Sequence, residues 1–352
     1  MKDIKELAFD FAAIEPVLER KIQAMVEFEA DTNRVGRQLV QVATDLVGAK
    51  TNSIRVPKQT WPTASGTMAF GADYSYATPD YSSYVEITAT KKGYGVFIPD
   101  EWAMLAVPDI INTEIRKLGR ALAEAEDIDI FKTLLGKVSV SEENVGTASS
   151  TAETFSLDHS KVLTVSEVLN GTVPITTYTV DYFDGKIHCT SIASGDVIKV
   201  SYDYSTRTNV YDAGSASTLL LTDFTKLSSK IKGKRYTADW GVMHPDTEAK
   251  AINSLADKYI SSTLYKPTLS GEIGTLAGIP FVVTTQMPTG VIMIGVKVAA
   301  KLEIQEEVKT EKVRSEDADV LKIRGHVING IGVTWEDGLA LMTNVQDDAA
   351  QL

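Results

Sequence analysis

Cysteine is nearly absent. The 352 residues contain one, Cys189, which excludes an internal disulfide and a zinc site built from thiolates. Histidine is scarce as well: His159, His188, His244 and His326 stand far apart, and no pair has the spacing that sets two metal ligands on one helix face. No apolar run approaches the roughly 20 residues of a membrane span, and the opening MKDIKELAFDF lacks a secretory core, so a cytoplasmic product with no membrane partner is expected. Basic excess is missing too. With 35 Lys+Arg against 47 Asp+Glu the formal charge is −12. That balance argues against a dedicated nucleic-acid binder, which carries a basic stripe, and leaves room only for sparse contacts with DNA.

Catalytic signatures are missing in the same way. No G-x-S-x-G elbow occurs. The run from Gly290 to Lys297 misses the phosphate loop, because Val296 stands where the motif requires lysine, and its apolar interior reads as a core strand. His244-Pro245-Asp246 reads as a strand end followed by a capped helix rather than a metal corner. Glu124, Glu126, Asp127 and Asp129 read as a solvated helix face rather than an acid/base pair. Lys226, Lys230, Lys232, Lys234 and Arg235 form the one basic cluster, expected as a solvated helix end that favours cations. No cofactor or metal is implied, and no internal repeat or low-complexity tract is present.

What is present is a rod. Residues 107–136 (VPDIINTEIRKLGRALAEAEDIDIFKTLLG) open on Pro108 and Asp109 as a helix start and close on Gly136. Between them Ile111, Ile115, Leu118, Leu122, Ala125, Ile128 and Phe131 recur at the spacing of one helix face. At about 1.5 Å per residue such a helix is roughly 40 Å long.

Around the rod the chain divides by character. Residues 1–50 are polar and mainly helical, with apolar stripes of Leu7, Phe11, Ile14 and Leu18 (interrupted by Pro16) and of Leu39, Val42 and Leu46. They serve either to lie on something else or as the first helix of an ordinary domain. Ile54 and Val56, then Val85, Ile87 and Ala89, alternate as two strands. The stretch between them holds Trp61, Phe70, Tyr74, Tyr76 and Tyr81 with no core pattern. A compact domain rarely tolerates so long a loop, so it is a projecting hairpin or a lid; aromatics without catalytic groups favour the hairpin. Residues 137–205 are Ser/Thr/Val-rich, with Ile187/Cys189 and Ile198/Val200/Tyr202 on one side and turns at Asp184-Gly185 and Ser194-Gly195. They read as a small antiparallel β domain whose ends, Gly136 and Gly214, lie close in space. A helix capped by Thr222 carries Phe224, Leu227 and Ile231. A strand at 240–243 leads to a helix capped by Asp246, with Ala249, Ile252, Leu255 and Tyr259 on its face. Short strands at 279–283 and 291–294 flank a turn at 286–290. Two long strands finish the chain, the second with Leu321, Ile323, Val327, Ile331, Val333 and Trp335 on one face and Lys322, Arg324, His326 and Thr334 alternating with them.

Three stretches resemble a known family, the major capsid proteins of tailed double-stranded DNA phages and related archaeal viruses with the Hong Kong 97 type fold. Val96–Leu135 is similar to that family's passage through an I-P-D-E turn into its spine helix. Gly274–Val283 with Gln286–Gly290 resembles the strand and turn of its axial domain, and Val308–Thr343, containing RGHVINGIGVTW, its closing strands. The resemblance implies an α+β chain with an N-terminal arm (1–50), an extended loop (51–98) and a peripheral domain (99–136 and 296–352, spine 107–136). It further implies an axial domain (212–295) and an inserted β domain (137–211) outside the shell. It implies a non-enzymatic virion subunit that assembles with itself into hexamers and pentamers around packaged DNA, with separate scaffolding, portal or decoration proteins. Trp61, Phe70, Tyr74, Tyr76 and Tyr81 are the residue types that anchor interfaces. Some relatives link an extended-loop lysine covalently to a neighbour's asparagine; no lysine lies between Lys58 and Lys91 here, so no cross-link is expected. An encapsulin-type compartment, an enzyme of mixed domains and a tail or adhesion protein are the rival readings.

Overall fold

The computed structural model describes residues 11–49, 51–58, 83–99, 109–214, 219–256, 275–315 and 320–346. Helix α1 (Phe11–Asn33) leads through a 3-10 turn at Gly36–Gln38 to strand β1 (Gln41–Ala43). Strands β2 (Ser53–Pro57) and β3 (Tyr84–Thr88) pair with each other, and β4 (Thr90–Pro99) follows directly. Helix α2 spans Asp109–Leu135. Seven strands come next: β5 (Lys137–Thr147), β6 (Ala152–Ser156), β7 (Val162–Asn170), β8 (Val173–Pro174), β9 (Tyr178–Asp181), β10 (Lys186–Thr190) and β11 (Val197–Ser205). Then come β12 (Val210–Asp212), helix α3 (Leu221–Lys232), β13 (Trp240–Met243) and helix α4 (Pro245–Ala256). The chain continues with β14 (Thr275–Leu276), β15 (Ile279–Val283), β16 (Ile292–Gly295), β17 (Ala300–Ser315), β18 (Val320–Val333) and β19 (Leu339–Thr343).

Helix α2 stops where the sequence says it should: Gly136 turns left-handed at φ 60, a conformation that costs other residues a Cβ clash. Its buried face is broader than one stripe. Ile115, Leu118, Leu122 and Phe131 are buried as expected, but Ile128 points outward and Ala125 is only half-buried, while Ala123, Ile130, Leu134 and Leu135 are covered. The reason is a second partner. One side of α2 rests on the sheet of β1, β17, β18 and β4, where Leu118 and Leu122 lie over Gly325. The other side receives α1 at Gly119, where a Cβ would come within 2.8 Å of the Val26 carbonyl oxygen. Ile22, Val26 and Ala30 of α1 join Ile115, Leu118, Leu122, Ile323 and Val327 in one core. Each fully buried leucine there contributes roughly 1.5–3 kcal/mol. Pro16 does not interrupt α1, which runs through it near its start. Leu7 and Tyr259 lie outside the described residues, as do the side chains of Phe11, Ile14, Leu18, Ile111, Leu255 and Leu321.

The sheet with α2 is antiparallel except at one edge, where β1 pairs parallel with β17. That pairing is why 39–46 is not the helix its apolar spacing suggests. Leu39 and Leu46 are buried, whereas Val42 is on an edge strand and exposed.

A second, six-stranded sheet has the order β12-β19-β16-β13-β15-β14. Its central strands serve two cores by simple alternation. Trp240, Val242, Met293, Leu339 and Leu341 face the end of α2. Met243, Ile292, Ile294, Ala340 and Met342 face Phe224, Leu227 and Ile231 of α3 and Ala251 of α4. The run from Gly290 to Lys297 is thus a core strand, with β16 buried on both faces. The caps differ from expectation. Helix α3 begins at Leu221, and Asp223 reaches back to accept a hydrogen bond from the Leu220 N–H at 2.9 Å, with Thr222 inside the first turn. In α4 the cap is His244, whose Nδ1 accepts from the Asp246 N–H at 3.1 Å. Thr247 and Ala251 carry the buried side of α4, and Ala249 is exposed.

Residues 137–205 form two packed antiparallel sheets, β6-β10-β9 and β5-β11-β7-β8. Ile187, Cys189, Ile198, Val200 and Tyr202 face one shared core, as the alternation predicts. The unit closes on Gly136 and Thr206 rather than Gly214: the Thr206 N–H donates to the Gly136 carbonyl at 3.0 Å. Beyond it β12 leaves for the six-stranded sheet, pairing parallel with β19.

Candidate functional site: a buried charge junction and an open sheet face

The acidic run at the end of α2 is not a solvated face. Glu126 and Asp127 are buried, Asp129 is partly covered and only Glu124 is exposed. The turn after α1 explains this. Asp127 accepts hydrogen bonds from the Val35 and Gly36 N–H groups at 3.0 and 2.8 Å and so closes the end of that turn. Burial raises its carboxyl, and those two backbone bonds only partly offset the rise. Glu126 accepts from Arg37 Nε at 2.5 Å and from Asn329 Nδ2 at 2.8 Å. Arg37 also reaches Glu307 on β17 at 3.0 Å. Burial works against the Arg37 charge, yet the two carboxylates outweigh it and hold the guanidinium pKa up. Lys92 on β4 donates to Asn329 Oδ1 at 2.9 Å and pairs with Asp129 at 2.6 Å. Arg34 lies beside them, its Nη2 3.4 Å from Glu126, and the junction ties the turn after α1 to α2, β4, β17 and β18. Its contacts are those of a joint, each charge spent on holding one element against another. Sequence reasoning missed it because the partners lie about 90 or more positions from Glu126 and leave no local pattern.

The histidines are absorbed locally. Burial pushes the Tyr202 phenol up and Glu143, which it meets at 2.5 Å, adds to the rise; His159 sits 3.0 Å from the same oxygen. His188 meets Thr154 at 3.0 Å and His326 meets Glu306 at 3.1 Å, the latter buried rather than on a polar face as its alternation suggested. Thr334 is buried as well. Among the described residues no group of three or more His, Cys, Asp or Glu side chains could hold a metal ion, and no helix is long and apolar enough to cross a membrane. In the basic cluster Lys226 rests on the Tyr211 ring and Lys234 pairs with Asp337 at 3.2 Å, while Lys230, Lys232 and Arg235 are exposed at the helix end.

Among the described residues the sheet face opposite α2 is open around β4. Alternation on β18 sends Ile323, Gly325 and Val327 toward α2 and Lys322, Arg324 and His326 the other way. Further along this second face a Cβ on Gly330 would meet the Thr88 carbonyl at 2.4 Å, and one on Gly332 would meet Ile87 at 2.6 Å. The pair of glycines therefore seats the root of the β2–β3 hairpin. On β4 the same side carries Lys91, Gly93, Gly95 and Phe97, and Phe97 is 70% exposed. Trp61, Phe70, Tyr74, Tyr76 and Tyr81, the interface candidates, lie outside the described residues.

No family model matches the chain, and no curated protein matches it. Solved structures do. The capsid of cyanophage P-SCSP1u superposes with TM-score 0.56 at 13% identity, covering 89% of this chain and 87% of that one. The structure of Mycobacterium phage Che8 gives TM-score 0.54 at 14% identity over 88% and 91%. An encapsulin complex from Synechococcus elongatus gives 0.50 at 11% identity over 90% and 88%. These likenesses define the class: the chain has the Hong Kong 97 type fold, α+β, in which phage capsids and encapsulins are built.

Proposed function

We propose that this chain is a shell subunit, and specifically the major capsid protein of a tailed double-stranded DNA phage or a related archaeal virus. The observation that carries the reading is the extent of the likeness: close to nine-tenths of both chains superpose, so the whole architecture is shared and not one domain. On this reading α1 and its turn are the N-terminal arm (1–50), and β2 and β3 begin the extended loop (51–98). The peripheral domain combines 99–136, with α2 as spine, and 296–352. The axial domain is 212–295, and 137–211 is an insertion on the outside. Copies assemble into hexamers and pentamers of an icosahedral shell, with Trp61, Phe70, Tyr74, Tyr76 and Tyr81 packing on neighbours. Interfaces of this kind bury about 1,600 Å² each. A buried charge junction that ties distant elements together suits a subunit that carries load. Net acidity keeps genome phosphates from sticking to the wall, so DNA contacts are weak and indifferent to sequence. Scaffolding, portal and decoration proteins are the expected partners, and the virion is the expected location.

Expression of the full chain, alone and with its neighbouring genes, followed by electron microscopy tests the reading. Closed shells are expected, and a persistent monomer overturns it. The encapsulin likeness supports a second reading, a compartment shell around cargo enzymes. Shells that co-purify with one cargo protein and no nucleic acid favour that alternative.

A further inference from the structure

The charge junction holds one amide in a reactive setting. Asn329, 1% exposed, is gripped at both ends: its Oδ1 accepts from Lys92 Nζ at 2.9 Å and its Nδ2 donates to Glu126 Oε2 at 2.8 Å. Lys92 can only donate, so Oδ1 faces it and Nδ2 faces the carboxylate. The strand register explains the meeting. Asn329 stands opposite Thr90 and Val327 opposite Lys92, which makes Lys92 and Asn329 diagonal neighbours on the face that α2 covers. From above, α2 brings down Glu126 and Asp129, three residues apart on one helix face. Glu126 is fully buried, while Asp129 lies on the outer side with its Oδ2 2.6 Å from Lys92 Nζ. A cleft of about 460 Å³ opens beside the group, lined among others by Thr88, Lys92, Asp129, Thr133 and Asn329.

We propose that Lys92 Nζ forms an amide bond with Asn329 Cγ, an isopeptide that ties β4 to β18 within a single chain. Asp129 takes one proton from the Lys92 ammonium, and the freed lone pair attacks the Asn329 carbonyl carbon. In the tetrahedral adduct the new nitrogen gives up a second proton, which passes through Glu126 to the Nδ2 that Glu126 already holds. The Cγ–Nδ2 bond then breaks and the carbonyl reforms. Ammonia leaves by the cleft, taking the proton from Asp129 with it as ammonium. An ammonium side chain and a primary amide thus become a secondary amide and an ammonium ion, with no oxidant or cofactor. Contact between the two groups replaces an encounter in solution, and well-oriented intramolecular reactions reach effective molarities of about 10⁵ M or more. Burial of Asn329 and Glu126 keeps water from competing for the carbonyl carbon. The bond would sit where the sheet needs it. β4 is an edge strand weakened by Gly93 and Gly95, and Lys92 immediately precedes them.

The bond lies inside one chain and adds no link between copies, so it stands or falls apart from the shell reading. Intact mass spectrometry of the purified full-length chain, denatured before measurement, tests it. The expected mass is lower than that of the sequence by one ammonia. Trypsin should then release a branched peptide joining residues 92–116 to 325–352, because the linked lysine is no longer cut. Lys92→Arg keeps a cation beside Asn329 and Asp129 and should show its full sequence mass and no branched peptide. Asp129→Asn, altered at a side chain that is 43% exposed, should carry at least tenfold less linked product at equal age; an unchanged fraction overturns the proton transfer assigned to Asp129. The unmodified folded chain at its full sequence mass overturns the bond. So does a loss of ammonia without the branched peptide, since that places the reaction at another amide.

Discussion

Two excursions leave the frame of α2 and its sheet, and they are held in opposite ways. The β unit 137–205 has a core of its own and is fastened to the frame by side chains. Ser205 Oγ donates to the Leu135 carbonyl at 2.6 Å, and Arg207 Nε to that of Leu134 at 2.9 Å, so the returning chain closes the end of α2. Arg207 also reaches the Thr133 carbonyl. On the far side Asn344 accepts from the Tyr182 N–H at 2.7 Å and donates to Asp181 and Asp212. The hairpin root, by contrast, buries little but Ile87 and rests on two glycines. Two isolated strands are marginal in water, so this element gains its stability from what it touches beyond itself. On the shell reading, one excursion belongs to the subunit's folding and the other to its assembly.

The comparison can be broken in descending order of force. Ile115→Asp places an unpaired charge in the core shared by α1, α2 and the sheet, so a loss of roughly 4 kcal/mol or more is expected, with no folded subunit and no particles. Normal particle yield from that variant would sink the assignment of α2 as the spine. Arg207→Ala strips the end of α2 of its donor and should lower stability in urea by about 2–3 kcal/mol, because buried carbonyls lose a charged partner. Gly332→Val collides with Ile87 and Val85 at the hairpin root. A loss of about 1–3 kcal/mol is expected in the subunit, with particle formation failing far more completely than the midpoint shift accounts for. If both variants reduced stability and assembly in proportion, the two excursions would not differ in kind.

Acid should separate them further. Burial alone would raise Asp203 in the β unit, but Lys137, Ser139 and Thr164 outweigh it and hold the carboxyl below its ordinary 3.8. Glu307 at the charge junction is likewise held below 4.5, with Arg37 the main counterweight to burial. A depressed carboxyl contributes stability above its unfolded value that is lost as pH falls through the folded one. Urea midpoints should therefore be flat near neutrality and drop below about pH 4.5, and Glu307→Gln should flatten the drop. The smallest expected signal is the most local. Burial pushes the Cys189 thiol up to about 11, so alkylation at neutral pH should await opening of the β unit. Rapid labelling of the native subunit would mean that the unit opens by itself.

Much of the frame was legible because its causes are local. The stop at Gly136, the strand at Trp240–Met243 and the shared face of Ile187, Cys189, Ile198, Val200 and Tyr202 follow from a turn residue or from period alone. What escaped depends on distant partners. Val42 pairs parallel with Leu302, some 260 positions away, and a stretch readable as helix becomes a strand. Glu126 and Asp127 match the pattern of an exposed face until Arg37, Val35, Gly36 and Asn329 come to meet them. Asp246 carries the usual cap chemistry, but the chain direction out of β13 puts His244 at the cap. Of the interface candidates only the residue types were readable, because what an aromatic packs on is not written in the local sequence.

The turns at the free end of the β unit carry a practical consequence. Gly171 and Gly195 both bend left-handed, and nothing lies within 4 Å of where a side chain would begin at either. Gly171 is tied by its N–H to the Val197 carbonyl at 2.9 Å, so the two turns sit side by side and away from the frame. A peptide spliced into either turn would be presented at the free end of the unit, away from the joints at Gly136, Arg207 and Asn344 that hold it down.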